Sequence, residues 1–376
     1  MKSGYESATN LSKSISKSTL KLPALSLSPK NSSGNFFSDS VTRKSPRVNS
    51  DGAKYHNPEI VNTAVSKKSC GYVLRFSANS HCGMVRSSNE DRLSIIINIP
   101  CPQGFSMQKW PRCSFFGIYD GHGGKMCANF LKEKLHKFIF ENENFPYRPK
   151  EAIFRGFLKA DEEFLKNAEI KRDRSGSCAV VVMVLGDKCY VANTGDSRAV
   201  VSSHNGAKIH RLTTDHKPSD SNEYNRIIMA GGSIKSQNYP ITNSQMIRIE
   251  ENCSRVEPGN LAVSRAFGDS NVKNTKIIIP DPEIRSFRLT EEFDFIVMAS
   301  DGIFDKISDR DVVDVVWKSF KKQNSIEGKM TAAVEDIMRT AFFRQTQDNV
   351  SVILIAFKGI KARFMEDDVK KTGELD

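Results

Sequence analysis

The stretch "FFGIYDGHGG", residues Phe115 to Gly124, runs from an apolar, aromatic segment into an acid, a histidine and three glycines within five residues. An Asp-Gly pair after a strand is an ordinary turn, so Asp120-Gly121 alone decides nothing. The same ending recurs along the chain. "CYVANTGDSR" delivers Asp196, and "DFIVMASDGIFD" delivers Asp301 and Asp305. "TQDNVSVILI" sets Asp348 just before a strand, and "RSSNEDRLSIII" sets Glu90 and Asp91 just before another. Singly, each acid reads as a turn residue or a helix cap. Together they form a set at strand rims that converges if those rims share one end of a sheet.

The surrounding pattern supplies the sheets. From "GYVLRFSANS" onward, short β-branched and aromatic runs are separated by turns: "RLSIIINI", "SFFGIYD", "SCAVVVMVL", "KCYVANTG", "SRAVVSS", "EIRSFRL", "FDFIVMAS" and "NVSVILIAF". Helical stretches lie between them: "KMCANFLKEKLHKFIFEN", "PKEAIFRGFLKADEEFLKNA", "SNEYNRIIMAGG", "DRDVVDVVWKSFKKQ" and "KMTAAVEDIMRTAFFRQ". Hairpin turns stand at "LGDK" and "HNGA". The strands come in blocks instead of alternating strictly with helices. This predicts an α+β sandwich of antiparallel sheets with helices packed outside, not a Rossmann-type parallel sheet.

The acids suit hard divalent cations. Mg²⁺ and Mn²⁺ take carboxylate, carbonyl and water oxygens, and a two-metal centre needs several carboxylates and one that bridges. No matching His/Cys cluster accompanies them, which disfavours zinc. Glycine after Asp120 lets backbone carbonyl and N–H groups approach a metal or an anion. His122 reads in two ways, as a solvated turn side chain or as a general acid whose ordinary pKa near 6.5 suits proton donation to a leaving oxygen. Arg86 is likewise either a surface charge or a planar fork for a phosphate.

Composition bounds the rest. The 376 residues, 39% hydrophobic and 26% charged, are ordinary for a soluble globular protein. No run of 18 apolar residues occurs and the first 30 residues lack the apolar block of a secretory signal, so an intracellular protein without a transmembrane segment is expected. The eight cysteines are scattered without Cys-x2-Cys spacing, as in reduced, structural thiols. Of the net charge of +11, residues 1–70 carry +7, and the remaining body has no extended basic run. Nucleic acid is therefore not expected as the primary partner. Residues 1–70 are rich in Ser, Lys and Asn without apolar periodicity and read as a disordered tail.

In order along the chain, "RSSNEDR", "FFGIYDGHGG", "RSGSCAVVVMV", "ANTGDSRAV", "DHKPSDSNEYNRIIMAGGSI", "GNLAVSRAFGD", "ASDGIFD" and "QDNVSVIL" resemble the metal-dependent Ser/Thr protein phosphatases of the type 2C (PPM) family. The resemblance implies a four-layer αββα sandwich over residues 71–358, with a flap at about 231–260 and a charged C-terminal tail at 359–376. It implies two Mn²⁺ or Mg²⁺ ions bridged by Asp120 beside the Gly121 carbonyl. Asp301 and Asp348 would hold the second ion, and Glu90 and Asp91 the first, in part through water. Asp196 and Asp305 correspond to acids of a third, weaker site. Arg86 corresponds to the phosphate-binding arginine and His122 to the general acid. The implied partners are phosphoprotein substrates, and the implied state is a monomer. Cys178 stands where the family more often has Thr, and Phe304 where Trp is frequent; both read as packing positions. The flap is longer and more polar than the family pattern and leaves substrate choice open. Two other readings compete: a catalytically inactive scaffold of the same fold, and another binuclear-metal phosphoesterase.

Overall fold

The structure, a computed structural model, describes residues 58–101, 110–237 and 253–360. The tail through residue 57, flap residues 238–252 and the C-terminal segment from 361 lie outside the described residues. Five strands come first: β1 (Ala64–Val65), β2 (Val73–His81), β3 (Arg92–Ile96), β4 (Cys113–Tyr119) and β5 (Gly121–His122). Helices α1 (Met126–Phe140) and α2 (Pro149–Lys171) follow. Then come β6 (Gly176–Ser177), β7 (Ala179–Leu185), β8 (Lys188–Thr194), β9 (Arg198–Ser203) and β10 (Lys208–Arg211). Helix α3 (Ser221–Met229) leads into the hairpin β11 (Ser233–Gln237) and β12 (Cys253–Glu257), and then β13 (Phe267–Gly268). The chain closes with β14 (Glu283–Arg288), β15 (Phe293–Ala299), α4 (Asp301–Phe304), α5 (Asp309–Phe320), α6 (Ile326–Phe343) and β16 (Val350–Phe357).

Two antiparallel sheets form the body, one ordered β1-β2-β16-β15-β9-β10 and the other β14-β8-β7-β4-β3. The central strands β4, β7, β15 and β16 are apolar at nearly every position because both faces are covered. Phe115, Val181 and Met183 face α1 and α2, while Phe116, Ile118, Val180 and Val182 face the other sheet. In the six-stranded sheet Phe295, Val297, Val352 and Leu354 pack on α5 and α6, and Ile296, Met298, Ile353 and Ile355 point inward. Each such side chain stabilises the fold by about 1.5–3 kcal/mol relative to exposure. Phe76 and Phe116 meet edge to face across the inter-sheet layer, with ring centroids 5.9 Å apart. The result is the expected αββα sandwich.

Local chemistry sets the helix ends. Pro149 opens α2, and Ser308 and Ser325 accept hydrogen bonds from the backbone N–H groups of Asp311 (3.1 Å) and Gly328 (3.0 Å) at the starts of α5 and α6. The boundary drawn at residue 70 on composition falls late. Ala64 and Val65 pair with Ala78 and Ser77, and Asn79 Nδ2 donates to the carbonyl of Val61 (3.0 Å). A two-residue edge strand between polar neighbours leaves no periodicity for sequence reasoning to detect.

Candidate metal centre

Antiparallel register carries the acids to one end of the sandwich. β4 and β8 run toward that end and release Asp120 and Asp196; β15 runs toward it from the facing sheet and releases Asp301 as the first residue of α4. β3 and β16 start there, just after Glu90-Asp91 and Asp348-Asn349. Tyr119 pairs with Arg92, Ala179 with Thr194 and Ala299 with Val352, so all five rims are level. One carboxylate oxygen each from Asp120, Asp196 and Asp301 lies within 4.8 Å of the others.

Burial and like charge dominate this cluster. Burial, then the charges of Asp91, Asp301 and Asp196, hold the Asp120 carboxyl well above the ordinary range. Burial, then Asp196, Asp305 and Asp348, does the same to Asp301. Asp91 is 2% exposed, and burial, offset in part by the Ser351 and Ser300 hydroxyls, raises it to about 6. Its Oδ2 accepts from Ser300 Oγ at 2.9 Å, while Oδ1 is buried with no hydrogen-bond partner. Crowded carboxylates, an orphaned buried oxygen and an all-oxygen donor set are what a hard divalent cation would relieve, so the residues fit Mg²⁺ or Mn²⁺.

The remaining expected residues stand around the cluster. The Asp348 carboxylate is engaged by Arg86, whose Nη2 donates to Oδ2 at 2.6 Å. Arg86 is otherwise open to solvent. Glu90 Oε2 accepts from the Gly124 N–H at 3.3 Å. A Cβ on Gly121 would stand 2.6 Å from the Glu90 carbonyl oxygen, so the approach of the two strand rims requires glycine there. Asp305 follows Asp301 by one helical turn and adds to its negative surroundings. Asp196, expected at a third site with Asp305, has a carboxylate oxygen in the same cluster as Asp120 and Asp301. Burial raises its carboxyl, but the Lys217 ammonium, hydrogen-bonded to Oδ2, holds it below the ordinary range.

Four residues were not singled out in the sequence. Asp269 is 3% exposed, and both its oxygens lie 3.0 Å from His122 Nε2. Burial lowers the His122 pKa, but the hydrogen bond and charge of Asp269 outweigh it, so the net direction is upward. A Cβ on Gly176 would come within 2.3 Å of both partners, so only glycine lets this strand pass the pair. Lys217 is the second. Asn349 is the third: its Nδ2 donates to the carbonyls of Cys82 and Ser88 (3.0 Å each) and its Oδ1 accepts from the Glu90 N–H (2.8 Å). It thereby fixes the Arg86–Glu90 loop. Glu223 of α3, the fourth, accepts from Arg265 and Arg226 and so holds the segment whose Ser264 N–H donates to the His216 carbonyl beside Lys217. Cys178 does more than pack, since its Sγ donates to Asp196 Oδ1 at 3.3 Å. Burial and the charges of Asp196 and Asp120 keep the thiol protonated. Phe304 does pack, 7% exposed, under the Arg198 guanidinium at 4.8 Å.

The family model described as protein phosphatase 2C matches residues 77–350. The chain is 34% identical over 304 residues to an Arabidopsis thaliana protein named probable protein phosphatase 2C 2, covering 79% of this chain and 70% of that one. It is 33% identical over 324 residues to human protein phosphatase 1A, covering 81% and 76%. The crystal structure of a serine-threonine phosphatase 2C from Toxoplasma gondii shares the fold with a TM-score of 0.62 at 23% identity, over 79% of this chain and 99% of that chain.

Proposed function

Since the chain belongs to the protein phosphatase 2C family, and so to the metal-dependent serine/threonine protein phosphatases, we propose that it hydrolyses phosphoserine and phosphothreonine in proteins at this strand-rim cluster. The convergence of Asp120, Asp196 and Asp301 within 4.8 Å carries the reading. Two Mn²⁺ or Mg²⁺ ions would be held by Asp120, the Gly121 carbonyl, Glu90, Asp91, Asp301 and Asp348, with Asp196 and Asp305 available to a third. Bound there, such ions supply Lewis acidity, neutralising phosphoryl charge and acidifying a water for attack on phosphorus.

The chain's own groups do the rest. Arg86 orients the phosphoryl group through its planar fork, exchanging the Asp348 carboxylate for phosphoryl oxygens. His122 hands a proton to the departing serine or threonine oxygen. With Nε2 engaged by Asp269, Nδ1 is the nitrogen left for that transfer. Asn349 and Gly121 keep the Arg86 and Asp120 loops in register. The inactive-scaffold reading has no missing acid to support it.

The test is phosphate release from a phosphothreonine peptide, with EDTA and then with Mn²⁺ or Mg²⁺ restored, beside Asp120→Ala and Asp301→Ala. Loss with EDTA, recovery with metal and a drop of about 10³-fold or more in either variant are expected. Undiminished metal-dependent turnover in Asp120→Ala would remove Asp120 from the centre.

A further inference from the structure

At the opposite end of the five-stranded sheet lies a groove of about 600 Å³ lined by Arg148, Lys150, Lys188, Tyr190, Phe287 and Arg288, among others. Register fixes its distance from the acids. β14 pairs Glu283 with Asn193, three residues before Asp196, and Arg288 with Lys188 at the far end of β8. Five further residues of strand separate the two ends, so the groove is about 20 Å from the cluster. Helix α2 brings its first turn to the same place, because α1 runs from the site to the far end and α2 starts the return.

Most of the cationic charge in this groove is unspent. Arg288 is bonded to Asp187 at 2.6 Å, and the groove's one acid, Glu151, is bonded to Arg155. Among the described residues, no carboxylate lies within ion-pairing distance of Arg148, Lys150 or Lys188, and all three side chains are exposed. Cations on an edge strand often serve only to prevent edge-to-edge pairing. Here they come from separate elements, the start of α2 and β8, with Arg288 of β14 beside them, and border a recess lined by Tyr190. β14 is the outer strand of its sheet. Near its start Arg285 reaches the Arg211 carbonyl and Thr214 Oγ1, covering that half; Ser286–Arg288 open into the groove.

We propose that this groove docks an acidic segment of the protein substrate, a run of Asp and Glu lying extended against Ser286–Arg288 with its carboxylates on Arg148, Lys150 and Lys188. The inference rests on the phosphatase reading above. A recess with an open strand edge suits a peptide, where a lipid surface would meet a plane of cations. Given the separation, at least about six extended residues must lie between acidic run and phosphorylated residue. The groove thus selects substrates by charge at a distance and leaves the chemistry untouched.

The experiment compares the full chain with its Arg148→Ala/Lys150→Ala/Lys188→Ala variant. The substrates are a phosphothreonine peptide carrying an Asp/Glu run about ten residues away, the same peptide with Asn/Gln in the run, and p-nitrophenyl phosphate. The wild type is expected to favour the acidic peptide about tenfold in kcat/KM, mainly through KM, and the triple variant to lose that preference. Turnover of p-nitrophenyl phosphate should be equal in both. Fluorescence anisotropy of the unphosphorylated acidic peptide gives an independent readout, with binding weakened in the variant. Equal peptide preference and equal anisotropy in the two proteins would overturn the proposal while leaving the phosphatase intact. Binding of phosphatidylserine vesicles through these residues, without acidic-peptide preference, would also overturn it. A wild type inactive on every phosphopeptide would instead sink the phosphatase reading, and the anisotropy would still decide the groove.

Discussion

Asp269 fixes His122 by one ring nitrogen, and its negative charge keeps the imidazole protonated to higher pH than burial alone would allow. A general acid held this way works until the pH rises past its own raised pKa. Asp269→Asn keeps the shape and removes the charge, so the alkaline limb of the kcat profile should move to lower pH, with kcat down by about tenfold at alkaline pH. An unmoved limb would show that Asp269 only packs. The acids and the histidine were legible in sequence because each ends or precedes a strand beside glycine or an apolar run. Asp269 was not, although it closes the quoted stretch "GNLAVSRAFGD". Its partner lies 147 residues away, and no local pattern marks a carboxylate as a histidine's partner. Lys217 and Asn349 were missed for the same reason.

Helix α3 shows what pattern gives and withholds at the scale of an element. "SNEYNRII" reads as an amphipathic helix and is one, capped by Asp220, whose side chain accepts from the Asn222 N–H at 3.0 Å. That its Glu223 points inward, 4% exposed, follows only from Arg265, 42 residues on. Burial raises the Glu223 carboxyl, but Arg265, the Ser264 hydroxyl and Arg226 bring it down to about 2. A carboxyl so depressed stabilises the fold above its ordinary value near 4.5, and that stability fades as pH falls toward 2. Glu223→Gln leaves Arg265 and Arg226 without a buried counter-charge and should cost about 3–5 kcal/mol at pH 7. Urea unfolding checks it, and the variant should also lose stability less steeply than wild type between pH 5 and 3. The long strands were legible for the opposite reason. A strand covered on both faces is apolar throughout and needs no partner to be recognised, whereas Ala64–Val65, two residues at the sheet edge, gave no such signal.

For the molecule as a whole, the acid cluster works against folding when no cation is bound. Asp91, raised to about 6, and Asp120 and Asp301, also raised by burial and by neighbouring carboxylates, are carboxyls that prefer to keep their protons in the folded state. Their contribution to stability is present at low pH and is lost as pH rises through those raised values. Mn²⁺ must displace the protons to bind, so the rise in Tm on adding Mn²⁺ should be larger at pH 7 than at pH 5. Equal increments by thermal denaturation at the two pH values would mean the cluster does not hold the ion. The two sheets share this cluster unequally with the rest of the sandwich. Asp301 and Asp348 hang from β15 and β16 of one sheet, and Asp91, Asp120 and Asp196 from β3, β4 and β8 of the other. A cation among them would be a rivet through two leaves at one end, the end away from the basic groove. The oxygens that would serve hydrolysis would then also be the fastening that keeps the leaves from parting, and chelation would slacken the molecule where it acts.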